Sequence, residues 1–566
     1  MIFYRIIFPA GAKRMLIALS CLFILFPLLP AQTLEDLQRD FTELRFGAFI
    51  HFGIMTFTGD PWATPNQDTS KFNPVELDCG QWADAFKAAK MKFGILTTKH
   101  HDGFCLWNSA FSQNDVAETP WKNGQGDVVK EFVDSFRSRK LIPMLYYSVW
   151  DNTAGIGNGT ITSGHLEVIK GQITELLTQY GEIAAMFFDG WSWKTGHKNV
   201  SYEEIRSLIK SLQPNCLIIE NEHLGLLFNT DLIHYESGTT APGNNTQPSM
   251  ASRLINYSGG NDWFWAPGVT TSGLLSVDEI VNDNLNYLEP RWCNFVLNCP
   301  PNDKGKLDSH IVARLTEVGQ AWEPDASRSP LPEQPAQMNQ PYTAVSAIAT
   351  SGKPGNAIDG FNDRFYYTVW ESAASLPQSL TIDLGRSRPV DILYYVPKFK
   401  PTLTPVTEGS IQSYRIYESP DNISFNLVAE GTWDGNTGMK VATFPEITTR
   451  YVRLESLSGV NGFAAATEVM AGLSYPSGQV NIPHQNSGYP DFKVSPNPLS
   501  GNIFRIEFHD FPKNFKVTLY NLQGHMLPVL TSDNYEITIA SDLIPGIYLV
   551  QISNCQSVIT GRILIE

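Results

Sequence analysis

The sequence predicts an α/β fold, a (β/α)8-type (TIM-like) barrel, over roughly its first half, followed by two all-β units. Three observations predict it. Short apolar runs alternate with amphipathic segments as far as about residue 322; polar and titratable residues gather just behind those runs; and beyond residue 345 the pattern changes to short β-branched and aromatic stretches separated by turn residues.

The runs at 46–52, 93–98, 141–147, 184–188, 216–219 and 294–297 are too short for helices and carry no polar alternation, so they read as parallel strands covered on both faces. Between several of them, 81–90, 128–139, 166–180 and 202–212 have helical periodicity. Right-handed crossovers allow this rhythm as a barrel or as an open doubly wound sheet. No Gly-rich phosphate loop follows any strand, which favours the barrel. The central stretch is AAMFFDGWSW at 184–193, which ends on Asp189. In a barrel, the C-terminal ends of the strands carry the chemistry, and a carboxylate there beside Trp191 and Trp193 suits a sugar site. Asp-Gly is equally a turn or helix-cap signal, and that reading stays open. His51 closes the first run, KHHDGFCLWNS (99–109) follows the second, and Tyr146, Tyr147, Trp150 and Asp151 follow the third. His100 and His101 lack a third His or Cys at ligand spacing. Neighbours on a strand also face opposite ways, so sugar contact is preferred to metal and one ring is expected in the core.

A net charge of −16 and a pI near 5.2 argue against a nucleic-acid partner. Lys13 and Arg14 precede an apolar stretch ending at Ala31, so residues 1–31 read as a signal peptide, with Met15 a candidate start. Cys79, Cys105, Cys216, Cys293, Cys299 and Cys555 form neither a dense disulfide framework nor a CxxC metal pair, and are expected to be buried thiols.

The motifs FGAFIHFG (46–53), FNP (72–74), TKHHDGF (98–104) with Trp107, Tyr147-Ser148, FDGW (188–191) and NFVLNCPP (294–301) resemble those of the α-L-fucosidases of glycoside hydrolase family 29. The resemblance implies a barrel-fold, retaining exo-glycosidase over 32–330 that needs no cofactor for catalysis. It makes Asp189 the nucleophile and has His51, His100, His101 and Tyr147 contact the fucose, with Trp62, Trp107, Trp191, Trp263 and Trp265 walling the pocket. The CNFVLNCPPND ending (293–303) is similar to the subfamily acting on α-1,3/1,4 linkages, whereas Asp60-Pro61 before Trp62 departs from its pattern. Retention requires a second carboxyl roughly 5–5.5 Å from the nucleophile. Glu220, Glu222 and Glu236 are the candidates for it. The resemblance selects Glu236, which precedes a Gly- and Asn-rich loop and a Trp-rich strand at 262–265. Two other readings are weighed: a catalytically inactive glycan-binding protein, and a broad-specificity fucosidase acting on α-1,2/1,6 linkages.

Residues 331–344 read as a linker, so the barrel is expected to fold alone when the chain ends near Pro330. NAIDG (356–360), Trp370, IDLG (382–385), YESPD (417–421) and Glu468 resemble the discoidin, or factor 5/8 C-type, sandwich used as family 32 carbohydrate-binding modules, here at 345–475. That resemblance implies a structural Ca2+ near Asp359, Asp363 and Glu468, with oxygen ligands as calcium prefers. A sandwich that only packs is the alternative. After a second linker at 476–492, residues 493–566 resemble the C-terminal sorting domain of the type 9 secretion system of Bacteroidota. The expected partners are therefore fucosylated glycans and that machinery. The expected location is outside the cell or on its surface, with the periplasm as the alternative.

Overall fold

The computed structural model describes residues 32–474 apart from 61, 158, 237–240, 257–262, 361–367, 374 and 401–403, together with eight strands between 492 and 565. The expected signal peptide and Asp363 lie outside the described residues.

Eight parallel strands form the barrel: β1 (Phe46–Ile50), β2 (Phe93–Lys99), β3 (Ile142–Ser148), β4 (Ala185–Asp189), β5 (Leu217–Glu220), β6 (Ile233–Tyr235), β7 (Ser249–Leu254) and β8 (Cys293–Asn298). Hydrogen bonding runs β5-β4-β3-β2-β1-β8-β7-β6, and one parallel bridge, Ile219 to Leu232, carries it across the remaining gap. The sequence reading missed β6 and β7. β6 has only three residues, and the two strands contain His234, Ser249, Ser252 and Arg253 where a buried strand would ordinarily be apolar. The expected Trp-rich strand is instead loop at Trp263 and Phe264.

The helices begin where side-chain caps permit. Asp78, Asp127, Thr162 and Ser201 each accept a backbone N–H from the first turn of the helices Cys79–Ala88, Val128–Ser138, Ser163–Gln179 and Tyr202–Leu212. Side-chain parity then divides the core in two. Phe49, Met144, Tyr146, Ala185 and Phe187 point inward into one apolar cluster, plugged by Leu34, Leu37 and Phe41 of the helix Leu34–Thr42. Phe46, Ile50, Leu145, Tyr147, Met186 and Phe188 point outward, against the helices. All five cysteines among the described residues are free and buried.

The second unit is an antiparallel β-domain. Its main sheet runs Asn426–Thr432, Ile411–Ser419, Lys440–Gly459, Gln378–Val396, Glu468–Ser474 and Met338–Tyr342, and Ser346–Ala349 pairs with Gln378–Val396. Met338–Tyr342 corrects the linker expectation, since part of 331–344 is a strand. Its Pro341 is tolerated because the strand lies at a sheet edge.

The joint with the barrel is a packed seam, contrary to the expectation that the barrel stands alone. Leu224 and Phe228 of the barrel share an apolar cluster with Met338, Ile392, Tyr394, Val396 and Phe399. Arg206 donates to Asn339 O (3.1 Å), Thr343 N donates to Glu203 (2.9 Å), and Arg388 pairs with Glu203. The C-terminal unit is a separate body of two four-stranded antiparallel sheets.

Phe228→Ala, which removes a fully buried ring from the seam, is expected to cost about 3–5 kcal/mol. Chemical denaturation of the full chain, followed by tryptophan fluorescence, measures it; a change below about 0.5 kcal/mol would mean the seam is not cooperative with the barrel.

Candidate active site

A cavity of about 460 Å3 opens at the C-terminal ends of the barrel strands, a volume suited to a small ligand. Inward parity places Phe49 and His51 after β1, Tyr146 on β3, Phe187 and Asp189 on β4, His234 on β6 and Ser252 on β7 around it. Loops add Trp62, His100, His101, Trp193, His223, Glu236, Trp263 and Phe264.

Asp189 ends β4 and is 8% exposed. Its Oδ1 accepts the N–H of Gly190 (2.6 Å) and the indole N–H of Trp193 (2.8 Å), and its Oδ2 accepts the Tyr146 hydroxyl (3.1 Å). Gly190 has φ of +63°, and a Cβ there would lie 2.5 Å from Trp150 Cβ, so the turn behind the carboxylate requires glycine. The next residues form one π-helical turn, Trp191–Thr195, which swings Trp193 back over Asp189. Burial first, then the charge of Glu236, pushes the Asp189 carboxyl up to about 6; the Trp193 and Gly190 donors work the other way.

Glu236 follows β6 and meets His223 Nε2 at 2.9 Å. Glu220 and Glu222, the other two candidates, do not line the cavity. Glu220 accepts Ser192 N–H (2.7 Å) and bonds His197 Nε2 (2.8 Å). Glu222 is 3% exposed with neither carboxyl oxygen partnered among the described residues; burial and the charges of Glu220 and Glu468 hold it well above the usual carboxylate range.

Both His100 and His101 face the cavity, against the argument from strand alternation, because β2 ends at Lys99 and the pair lies in the turn beyond it. Their rings are 4.2 Å apart. Ser148 Oγ donates to Trp150 O (2.6 Å) and so accepts from His101 Nδ1 (2.6 Å). This leaves His101 Nε2 as an acceptor, 3.8 Å from Asp189 Oδ2. Likewise Asn298 donates to Trp263 O (2.8 Å) and its Oδ1 accepts from His51 Nδ1 (2.7 Å), freeing His51 Nε2. Burial lowers all these rings: His51 and His100 well below the usual imidazole range, His101 and His234 to about 3. They are neutral acceptors for hydroxyl groups.

Four expected contacts are corrected. Tyr147 has outward parity; its hydroxyl donates to Gln172 Oε1 (2.8 Å) and receives Lys99 Nζ (3.1 Å), and the inward neighbour Tyr146 takes the place expected of it. Burial opposes the Lys99 charge, yet Tyr147 and Asp151 hold it above the usual lysine range, so this lysine is a structural hub. Trp107 is buried and donates to Glu175 (2.8 Å). Trp191 is buried and donates to Val200 O (2.8 Å). Trp265 donates to Asp308 (2.8 Å) and lines the adjoining groove instead. Trp62, at 51% exposed, and Trp263 do line the cavity. His223, His234 and Phe264 were missed; Tyr146 was placed at the strand ends but passed over for Tyr147, and period-two counting from Asp189's register partner Ser148 selects it.

In the sandwich, Asp359 accepts Thr368 Oγ1 through both oxygens (3.0 and 2.8 Å), and Glu468 accepts Gly360 N–H (2.8 Å). Among the described residues no group of three or more His, Cys, Asp or Glu side chains could hold a metal, and the third expected ligand, Asp363, lies outside them.

A barrel with two carboxyls, neutral histidines and aromatic walls at its C-terminal mouth defines a glycoside hydrolase. Residues 30–323 match the alpha-L-fucosidase family, and the chain belongs to it. Residues 341–469 match the F5/8 type C domain and 493–566 the secretion system C-terminal sorting domain. A relative in Oryza sativa subsp. japonica, provisionally named alpha-L-fucosidase 1, is 27% identical over 76% of this chain and 82% of its own length. Alpha-L-fucosidase 1 of Arabidopsis thaliana is 31% identical over 52% of this chain and 60% of its own. A Ruminococcus gnavus fucosidase in complex with fucose superposes with a TM-score of 0.41 at 20% identity, covering 79% of this chain and 97% of that one.

Tyr146→Phe removes a donor that favours the ionised form of Asp189. It is expected to move the acid limb of kcat/KM to higher pH by about one unit, as the loss of a hydrogen bond to a charged group implies. An unmoved limb would show that this hydrogen bond does not set the Asp189 charge.

Proposed function

We propose that the chain is a retaining, exo-acting α-L-fucosidase that removes terminal α-1,3/1,4-linked fucose through a covalent fucosyl-enzyme intermediate. The observation that carries this is the carboxyl pair: Asp189 and Glu236 are the two acids that line the cavity among the described residues. Asp189 attacks the anomeric carbon, displacing the aglycone. Glu236 gives its proton to the leaving oxygen, then takes one from the water that attacks the anomeric carbon, breaking its bond to Asp189 and freeing the carboxylate.

The surroundings support this division of roles. Three donors to Asp189 favour its ionised form, whereas Glu236 is held at 2.9 Å by His223 Nε2. The charge of Glu236 raises the Asp189 carboxyl, so the two acids titrate together. Neutral His51, His100 and His101 accept from the sugar hydroxyls and place no cation beside the oxocarbenium-like transition state. The linkage preference rests on the sequence likeness at 293–303. The sorting-domain match at 493–566 supports export by the type 9 secretion machinery to the cell surface or the medium.

Three outcomes check the reading. Asp189→Ala is expected to lose at least about a thousandfold in kcat, with azide restoring part of the rate and giving an inverted product; near-normal hydrolysis would remove Asp189 from the role and favour another nucleophile. Glu236→Gln is expected to abolish the alkaline limb on an activated aryl fucoside, and to cripple natural glycans about a hundredfold or more beyond that substrate. If Glu222→Gln shows this dependence instead, the acid is Glu222. Across a glycan panel, fucose release is expected from α-1,3/1,4 linkages ahead of α-1,2 and α-1,6. The reverse order would assign the broad specificity, and no release from any glycan would favour a lectin.

A further inference from the structure

A chain of buried contacts leads from the sandwich to the nucleophile. Glu468, on the sandwich strand Glu468–Ser474, is 3% exposed and its Oε1 accepts Gly360 N–H (2.8 Å). The carbonyl of Gly360 accepts the backbone N–H of His197, in the barrel, at 3.1 Å. The His197 ring is 4% exposed and saturated: Asn229 Nδ2 donates to Nδ1 (2.9 Å), and Nε2 donates to Glu220 Oε2 (2.8 Å). An edge contact to Trp191 and a tilted one to Tyr202, at 5.0 and 5.6 Å between centroids, hold its plane. Glu220 spends its other oxygen on Ser192 N–H (2.7 Å), inside the π-helical turn whose Trp193 donates to Asp189.

We propose that the sandwich is a structural part of the active site: the Gly360 turn, acting through His197 and Glu220, positions the Trp191–Thr195 turn and so the Asp189 carboxylate. His197, Glu220 and Gly360 are positioning residues, since none lines the cavity. Three features favour this over simple adhesion between units. A π-helical turn is an uncommon backbone that needs outside support, and Glu220 supplies a hydrogen bond in its middle. Gly360 has φ of +62°, and a Cβ there would come within 2.8 Å of His197 Cβ, so the two backbones are as close as glycine allows. Finally, the carboxylate of Glu220 has both oxygens committed to this path, one toward the sandwich side and one toward the nucleophile side.

The inference rests on Asp189 as the reacting carboxylate. The test uses the full chain with an activated aryl fucoside, kcat and KM measured well below each variant's unfolding temperature. Gly360→Ala is expected to lower kcat about tenfold or more with KM within about twofold, the signature of a displaced reacting group. Gly355→Ala, in the same domain with nothing within 4 Å of the added carbon, is expected to match the wild type. Glu220→Ala should lose kcat likewise, by the same factor on aryl fucoside and glycan. Glu220→Gln, which keeps an acceptor for Ser192 N–H but sets its NH2 against the His197 Nε2–H, should recover only part of it. Wild-type kcat in Gly360→Ala or Glu220→Ala overturns the proposal, as does a KM rise without a kcat change. Should these variants not fold, hydrogen exchange of the wild-type protein with and without fucose decides: slower exchange at 190–193 and at 360 is expected, and slowing at 190–193 alone overturns it. Slowing at neither would mean that fucose does not occupy this cavity, which is a failure of the functional reading beneath.

Discussion

The proposed chemistry requires Asp189, only 8% exposed, to carry a negative charge, and much of the molecule serves that requirement. Burial and Glu236 both oppose the charge, raising the carboxyl to about 6. Against them stand three donors, each fixed from a different direction: Gly190 by a turn with no room for a side chain, Trp193 by the π-helical turn, and Tyr146 by inward parity on β3. A desolvated carboxylate held by dipoles already in place is a better nucleophile than a hydrated one, and the donors cost no reorganisation at the moment of reaction.

The same economy governs the rest of the cavity. Its histidines are buried and neutral, with Nδ1 of His51 and of His101 tied down by Asn298 and Ser148 so that each Nε2 faces inward as an acceptor. The Lys-His-His-Asp motif divides accordingly. Lys99 and Asp102 are structural, Lys99 binding Tyr147, Asp151 and Gln172 and Asp102 accepting Phe104 N–H; the two histidines between them face the cavity.

Much of this was legible in the sequence, for identifiable reasons. Six strands showed as apolar runs because both faces are buried, and Asp189 stood out because it ends one of them. Strands β6 and β7 did not show, since His234 and Ser252 sit where apolar residues were expected, and these are residues of the cavity itself. Tyr146 and Tyr147 are indistinguishable by type; only their register beside Phe187 and Phe188 decides which one faces Asp189. The histidine pair misled for the opposite reason, as alternation was applied to His100 and His101, one and two residues beyond the end of β2. The seam was hidden because it is built from residues distant in the chain, such as Phe228 and Val396, that carry no local signal.

The account turns on which atom the fucosyl group joins. Incubating the enzyme with a 2-fluoro fucosyl fluoride, which slows breakdown of a glycosyl ester more than its formation, and mapping the adduct by peptide mass spectrometry reads that atom directly. The account predicts one fluorofucosyl group, on the peptide containing Asp189 and absent from Asp189→Ala; an adduct on another carboxylate, or turnover with none at all, would contradict it.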